Sequence, residues 1–233
     1  MWNGKLKAVT FSYDDGVTQD IRMIELLDKY GMKGTFNLNS EYLGLESSGG
    51  MVFDKFVYRH KVKPEDVKEV YKNHEVAVHT LTHPRLPEIE DEAEIIRQVE
   101  QDRLNLEKYS GGEVIGMAYP CGGVNNDDRV AEIIKNNTGV KYSRTITSTY
   151  GFDLQDNLYR FNPTVHHIEK DKVFELAEKF LALETDKPQL FYIWGHTYEF
   201  DGLDNWDEVE ELLKMLSGHD DIFYGTNREV FGI

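Results

Sequence analysis

The chain has 233 residues, 40% of them hydrophobic and 12% aromatic. That is enough for one sizeable buried core, and too apolar for an intrinsically disordered chain. The formal net charge of -16 argues against a nucleic-acid partner and against docking on anionic membranes, both of which rely on Lys and Arg. A neutral or cationic substrate suits this balance better, unless a local basic patch overrides it.

The single cysteine excludes an intrachain disulfide. No apolar stretch approaches membrane-spanning length, and no leader-like segment precedes the first strand-like run. The expectation is a cytoplasmic protein with no membrane partner.

Strand-like and helix-like runs alternate along the chain. Leu6–Tyr13 reads as a strand. Thr18–Tyr30 reads as a helix with Ile21, Ile24 and Leu27 at helical spacing and Gly31 as its stop. Gly34–Leu38 is a short strand. Residues 39–63 show no clean period and read as an extended loop, a candidate cover for a site. Pro64–Lys72 reads as a helix with Pro in its first turn, and Glu75–His79 as a strand. Glu90–Lys108 reads as a long helix with Ile95, Ile96, Val99, Leu104 and Leu106 available for its buried face.

Val114–Ala118 reads as a strand, Asp127–Lys135 as a helix, and Gly139–Ser143 and Leu158–Phe161 as short strands. Lys172–Leu183 is a helix, Leu190–Gly195 a strand, Trp206–Leu216 a helix and Ile222–Tyr224 a last strand. Thr226 and Glu229 have capping-box spacing for a terminal helix. This rhythm predicts parallel strands joined by helical crossovers, in one α/β domain spanning 1–233.

The chemistry-bearing residues follow strands. Asp14 and Asp15 follow the first, His79 and His83 another, Tyr119-Pro120-Cys121-Gly122 a third, and His196 ends the run Leu190–Gly195. In a (β/α) barrel the carboxyl ends of the strands form one face, where catalytic sites are built. A carboxylate pair with His-x-x-x-His is raw material for a hydrolytic metal site. One acid can join the two imidazoles on a divalent ion, and the other stays free to take a proton. Such a donor set suits zinc, and also accepts cobalt, nickel or iron.

Each motif also has a plainer reading. Asp-Asp-Gly is a common turn, and either histidine of the pair could cap a loop or fill a core. Pro84 implies a bent loop after His83 rather than a long helix. His196, met alone, reads as structural, and its place on the shared face turns the reading towards catalysis. His166-His167 fits a wall or loop role better than ligation. Cys121 beside Gly reads as a small buried thiol. His60, His74 and His219 read as surface residues, and the acidic runs Glu88–Glu94 and Glu208–Glu211 as solvated helix faces.

Taken together, Thr10-Phe-Ser-Tyr-Asp14-Asp15-Gly16, His79-Thr-Leu-Thr-His83-Pro, the Tyr119–Gly122 turn and the late strand ending in His196 resemble the polysaccharide deacetylases, or NodB-homology carbohydrate esterases. The likeness runs from residue 6 to about 200, and its first two motifs are the specific ones. It implies a distorted (β/α) barrel of about seven parallel strands and hydrolysis of an acetamide on an amino sugar, an oligosaccharide or a related small amide. It further implies a divalent metal on Asp15, His79 and His83, Asp14 as general base and His196 as the acid that protonates the leaving amine. The turn Tyr119, Pro120, Cys121, Gly122 becomes the substrate-binding segment, with the Cys121 N–H on the oxyanion.

Two departures from the family pattern matter. Its third motif usually carries an Arg two residues before the Pro, where this chain has Ala118. Arg144, in Tyr142-Ser143-Arg144-Thr145, is a candidate replacement from the neighbouring strand that would hold Asp14 ionised, and reads equally as a surface Arg at a strand end. The aromatic wall of the fourth motif could come from Tyr150, Phe152, Phe161, Trp194 or Tyr198. The alternatives are a hydrolase of a different non-peptide amide, a non-catalytic barrel that binds metal or carbohydrate and, more remotely, a cysteine hydrolase using Cys121.

Overall fold

The computed structural model describes residues 2–233. Ten strands and nine α-helices follow one another as β1 (Lys7–Asp14), α1 (Asp20–Lys29), β2 (Gly34–Leu38), β3 (Gly50–Val52), β4 (Lys55–Val57), α2 (Val67–Val70), β5 (Glu75–Val78), α3 (Glu92–Ile96), α4 (Asp102–Ser110), β6 (Gly116–Ala118), α5 (Asp128–Asn137), β7 (Tyr142–Arg144), β8 (Val165–His166), α6 (Lys170–Leu181), β9 (Gln189–Gly195), α7 (Tyr198–Leu203), α8 (Trp206–Leu216), β10 (Ile222–Tyr224) and α9 (Asn227–Phe231). The main sheet has the order β7-β6-β5-β2-β1-β9-β8, and β10 pairs with β1. Every pairing in it is parallel.

β1 runs through the middle and is buried throughout, with Ala8, Val9, Phe11 and Tyr13 in the core and the hydroxyls of Thr10 and Ser12 in hydrogen bonds. Its first half pairs with β10 and its second half with β2, while β9 lies along the other edge. Among the described residues no strand ladder joins β7 to β8. A single parallel bridge, Arg144 to Phe161, stands near that seam. The result is the expected distorted barrel. Its helices cover the sheet with apolar stripes at helical spacing, such as Val209, Leu212, Leu213 and Leu216 on α8 and Val130, Ile133 and Ile134 on α5.

The structure corrects the sequence reading in several places. The stretch 39–63 is not an unbroken loop but carries the antiparallel hairpin β3–β4. Lys61 bridges back to Val17, and the amides of Thr18 and Val62 bond to His60 and Gly16. Leu158–Arg160 is a 3-10 turn rather than a strand, capped by the Asn157 side chain on the Tyr159 amide. The two-residue β8 and the six-residue α7 are too short to leave a periodic signal. The His74 side chain is fully buried, contacts Asp28, and accepts from the Gly34 amide.

The helix expected over 90–108 is α3 and α4 joined by a π-helical turn, Arg97–Gln101. Leu104 faces solvent, because the inserted residue rotates the stripe. The bulge has a structural use. The Gln98 carbonyl accepts from the Leu81 amide, and its side chain meets the Thr82 amide. Just beyond it, buried Asp102 accepts from the amides of Ser40 and His79. One irregular turn thus holds the loop that carries both motif histidines.

Candidate active site

The residues scattered from 14 to 196 meet at the carboxyl ends of the strands, around a cavity of about 620 Å³. Asp14 is the last residue of β1 and lies beside Asn37 of β2. Asn37 Nδ2 donates to Asp14 Oδ1 at 2.8 Å. Arg144 ends β7 with no exposed surface, and its Nη2 lies 2.5 Å from each Asp14 oxygen. The guanidinium also lies 4.3 Å from the Trp194 ring centroid, a favourable face for a cation. Burial pushes the Asp14 carboxyl up, but Arg144, with His79 and His196, outweighs it and holds the group below the ordinary carboxylate range. A guanidinium thus reaches Asp14 from β7, at the position paired with Ala118 of β6.

Asp15, His79 and His83 bring one donor atom each within 4.8 Å of one another. His79 Nδ1 bonds to the Ala118 carbonyl at 2.9 Å, which fixes the tautomer and leaves the Nε2 lone pair free to ligate. Burial lowers the His79 pKa to about 4, keeping the ring neutral at physiological pH. His83 Nε2 lies 3.8 Å from Asp15 Oδ1. Lys61 Nζ bonds to the Asp15 carbonyl at 2.6 Å and lies 3.8 Å from its carboxylate. Two imidazoles and one carboxylate on a partly open wall fit a divalent ion with room for further ligands.

The local backbone is strained to make this possible. Asp15, Thr80, His83 and Cys121 all have positive φ, an uncommon state for residues with a side chain. His83 is no part of a helix. Its amide donates to Thr80 Oγ1 at 3.1 Å, and Asn39 Nδ2 donates to the carbonyls of His79 and Thr80. Pro84 thus marks the bent loop that the sequence predicts.

His196 follows β9 and faces the same cavity. Its Nδ1 lies 3.2 Å from Glu199 Oε2, an ion contact out of line for a hydrogen bond, and its backbone N–H donates to that oxygen at 3.0 Å. Burial lowers the imidazole pKa, yet Glu199 and then Asp15 and Asp14 prevail, raising it to about 9. The same Glu199 oxygen receives His167 Nε2 at 2.8 Å. Gly195 makes that approach possible, since a Cβ there would meet the His167 ring at 2.4 Å. Sequence reasoning missed Glu199. Its only signal is i,i+3 spacing from His196 at the start of a helix one and a half turns long.

The turn 119–122 meets the cavity unevenly. Cys121 and Gly122 line it, as does the edge of buried Tyr119, while Pro120 is buried and outside the lining. The Tyr119 hydroxyl donates to the Tyr159 carbonyl at 2.8 Å. The amides of Cys121 and Gly122 donate to no acceptor among the described residues. The Cys121 thiol rests against His83, and burial raises its pKa, an inert setting for a nucleophile. Of the aromatic candidates, Trp194 and Tyr198 line the cavity, and Tyr150, Phe152 and Phe161 do not. The segment leading into and out of the β3–β4 hairpin adds Tyr42, Leu45, Ser47 and Arg59 to the lining. Of the second histidine pair, His166 packs edge-on against Trp194 at 4.2 Å and His167 supports Glu199.

Comparison with known proteins bears on the family and the fold. Residues 3–143 match the polysaccharide deacetylase family model, and no curated protein matches the chain. Among solved structures, a family 4 carbohydrate esterase pseudoenzyme from Bacillus anthracis is 18% identical, with a TM-score of 0.54 over 97% of this chain and 66% of that one. The peptidoglycan deacetylase PdaC of Bacillus subtilis is 17% identical, with a TM-score of 0.55 over 98% and 91%. The family 4 carbohydrate esterase of Streptomyces lividans, solved with acetate, is 12% identical, with a TM-score of 0.55 over 95% and 92%. At these identities the likeness is one of fold.

Proposed function

The chain belongs to the polysaccharide deacetylase family, hydrolases of acetyl amide bonds, and from that premise we propose that it is a metal-dependent deacetylase of an N-acetylated amino sugar, oligosaccharide or related small amide. The observation that carries this reading is the buried Asp14–Arg144 pair beside the Asp15, His79, His83 cluster, with His196 on the same cavity. Asp15, His79 and His83 would hold a divalent ion, zinc being the best match to the donors. When bound, that ion supplies Lewis acidity towards the acetyl carbonyl and acidifies water.

The chain's own groups do the rest. Asp14, kept ionised by Arg144 and oriented by Asn37, takes the proton from the attacking water. The free amides of Cys121 and Gly122 are donors for a developing oxyanion, and one such donor is worth roughly 3 kcal/mol of barrier. His196, kept protonated by Glu199, donates from Nε2 to the leaving nitrogen, which departs as a neutral amine. A carboxylate held low and an imidazole held high are the paired protonation states that amide hydrolysis requires.

The test is acetate release from N-acetylated sugars, short chito-oligomers and small acetamides, using stripped enzyme with and without zinc or cobalt. Metal-dependent release, lost in Asp14→Asn while the ion stays bound, is expected. Retained turnover in Asp14→Asn would contradict the assignment of the base. Bound ion with no release across the panel would favour a different amide or a binding protein.

A further inference from the structure

The charges held inside this site are paired among themselves, and two at its lining, Arg59 and the exposed Glu46, are not. Asp14 is matched by Arg144, His196 by Glu199, and Asp15 by Lys61. Arg59 lines the same cavity and has no carboxylate within 4.0 Å among the described residues. It stands two residues beyond β4, next to the segment that Lys61 and Val62 clamp onto the turn after Asp15. Its guanidinium is half-buried, crosses over Gly50 and lies 5.3 Å from the Tyr198 ring centroid. The Tyr198 ring in turn lies 5.1 Å from that of His196. An uncommitted guanidinium therefore stands one side chain away from the group assigned to protonate the leaving nitrogen.

We propose that the substrate carries an anionic group, a carboxylate or a phosphate, on or next to its acetamido sugar, and that Arg59 is the residue that recognises it. The proposal rests on the deacetylase reading for the acetamide and adds the anion. A guanidinium offers a planar fork matched to two oxygens, and weak hydration lets it exchange water for such a ligand. Tyr198 holds it by its face, so less side-chain freedom is lost when the anion arrives. Lys61 is already engaged, its ammonium bonded to the Asp15 carbonyl and facing the Asp15 carboxylate. Glu46 also reaches the lining but is exposed, where water and salt screen it. The net charge of -16 favours neutral or cationic ligands at long range; the local Arg59 reverses that preference at the site.

The test uses the metal-loaded full chain and three probes: N-acetylglucosamine, N-acetylglucosamine 6-phosphate and N-acetylmuramic acid. Both acetate release and equilibrium binding by calorimetry are measured, for the native protein and for Arg59→Gln. Expected is tighter binding of at least one anionic probe than of the neutral sugar. Arg59→Gln should weaken that binding by about 10- to 100-fold, the range of a charge-assisted hydrogen bond, and leave the neutral sugar unchanged. Where turnover is seen, the loss should fall on KM rather than kcat. The preferred anion tells carboxylate from phosphate. Equal binding of neutral and anionic probes, or an equal loss on both in Arg59→Gln, would overturn the proposal. Arg59-dependent anion binding without acetate release from any probe would sustain the anion site and count against the deacetylase reading.

Discussion

At the scale of single residues, the site is a set of groups whose protonation is decided by their neighbours. Arg144 is fully buried and serves Asp14. Its replacement by Ala leaves a buried carboxylate unpaired, which commonly destabilises a protein by about 3–5 kcal/mol. It should also lower kcat by about 100-fold or more. Burial then acts on Asp14 with only His79 and His196 against it, so the acidic limb of the pH–rate profile should move upward. Full turnover with an unmoved profile would refute the role given to Arg144. Glu199 makes the opposite case. It holds His196 near 9, and Glu199→Gln should let the imidazole fall towards its ordinary value of about 6.5. The alkaline limb of kcat should fall with it, a shift that simple loss of stability would not produce.

At the scale of elements, part of the cavity wall depends on how the β3–β4 hairpin seats on α7. The contact is close because Gly202 of α7 has no side chain. A Cβ there would meet Val52 Cγ1 at 2.6 Å and the Val52 carbonyl at 2.9 Å. In Gly202→Ala the hairpin must lift, carrying with it the wall that includes Leu45 and Arg59. The expected result is a loss of about 1–3 kcal/mol of stability, typical of overpacking, together with a higher KM and a nearly constant kcat. Unchanged KM would show that the hairpin takes no part in binding. The π turn between α3 and α4 is a second such device, since it frees the Gln98 carbonyl to hold the loop between His79 and His83.

At the scale of the whole molecule, stability should decline on the alkaline side. Asp20 and Asp102 are buried, and burial raises each to about 7 against an ordinary value of 3.8. Their folded forms bind protons more tightly than the unfolded chain does, so their contribution is full below about pH 4 and is lost as pH rises through 7. His196, also raised, contributes below about 6.5 and loses its share as pH passes 9. Self-repulsion within a chain of formal charge -16 has the same sign. Asp14 and Glu199 oppose this at the acid end, because their lowered pKa values give stability that is lost only as pH falls through the carboxylate range. The melting temperature should therefore be higher near pH 5–6 than near pH 9, by about 2–4 °C for each kcal/mol lost. Asp102→Asn should flatten the slope between pH 4 and 7, and a melting curve insensitive to that change would contradict the account.

Much of this molecule was legible in its sequence, because period and punctuation are local properties. Alternating strands and helices, the bounds of β2, α8 and β10, and the Thr226–Glu229 capping box all follow from residues within a few positions of one another. The placement of Asp14, Asp15, His79, His83 and His196 after strands followed from the same rhythm, since parallel strands put their carboxyl ends on one face. Short elements escaped, because β8 and α7 hold too few residues to show a period. Pairings across the barrel lay further out of reach. Arg144 and Asp14 are 130 positions apart, and a resemblance, not a periodicity, suggested their meeting. Glu199 beneath His196, the buried His74, the hairpin against Gly202 and the uncommitted Arg59 were decided by tertiary structure alone. Which charges are paired and which face the cavity depends on distances through space, and no local pattern of residues encodes those.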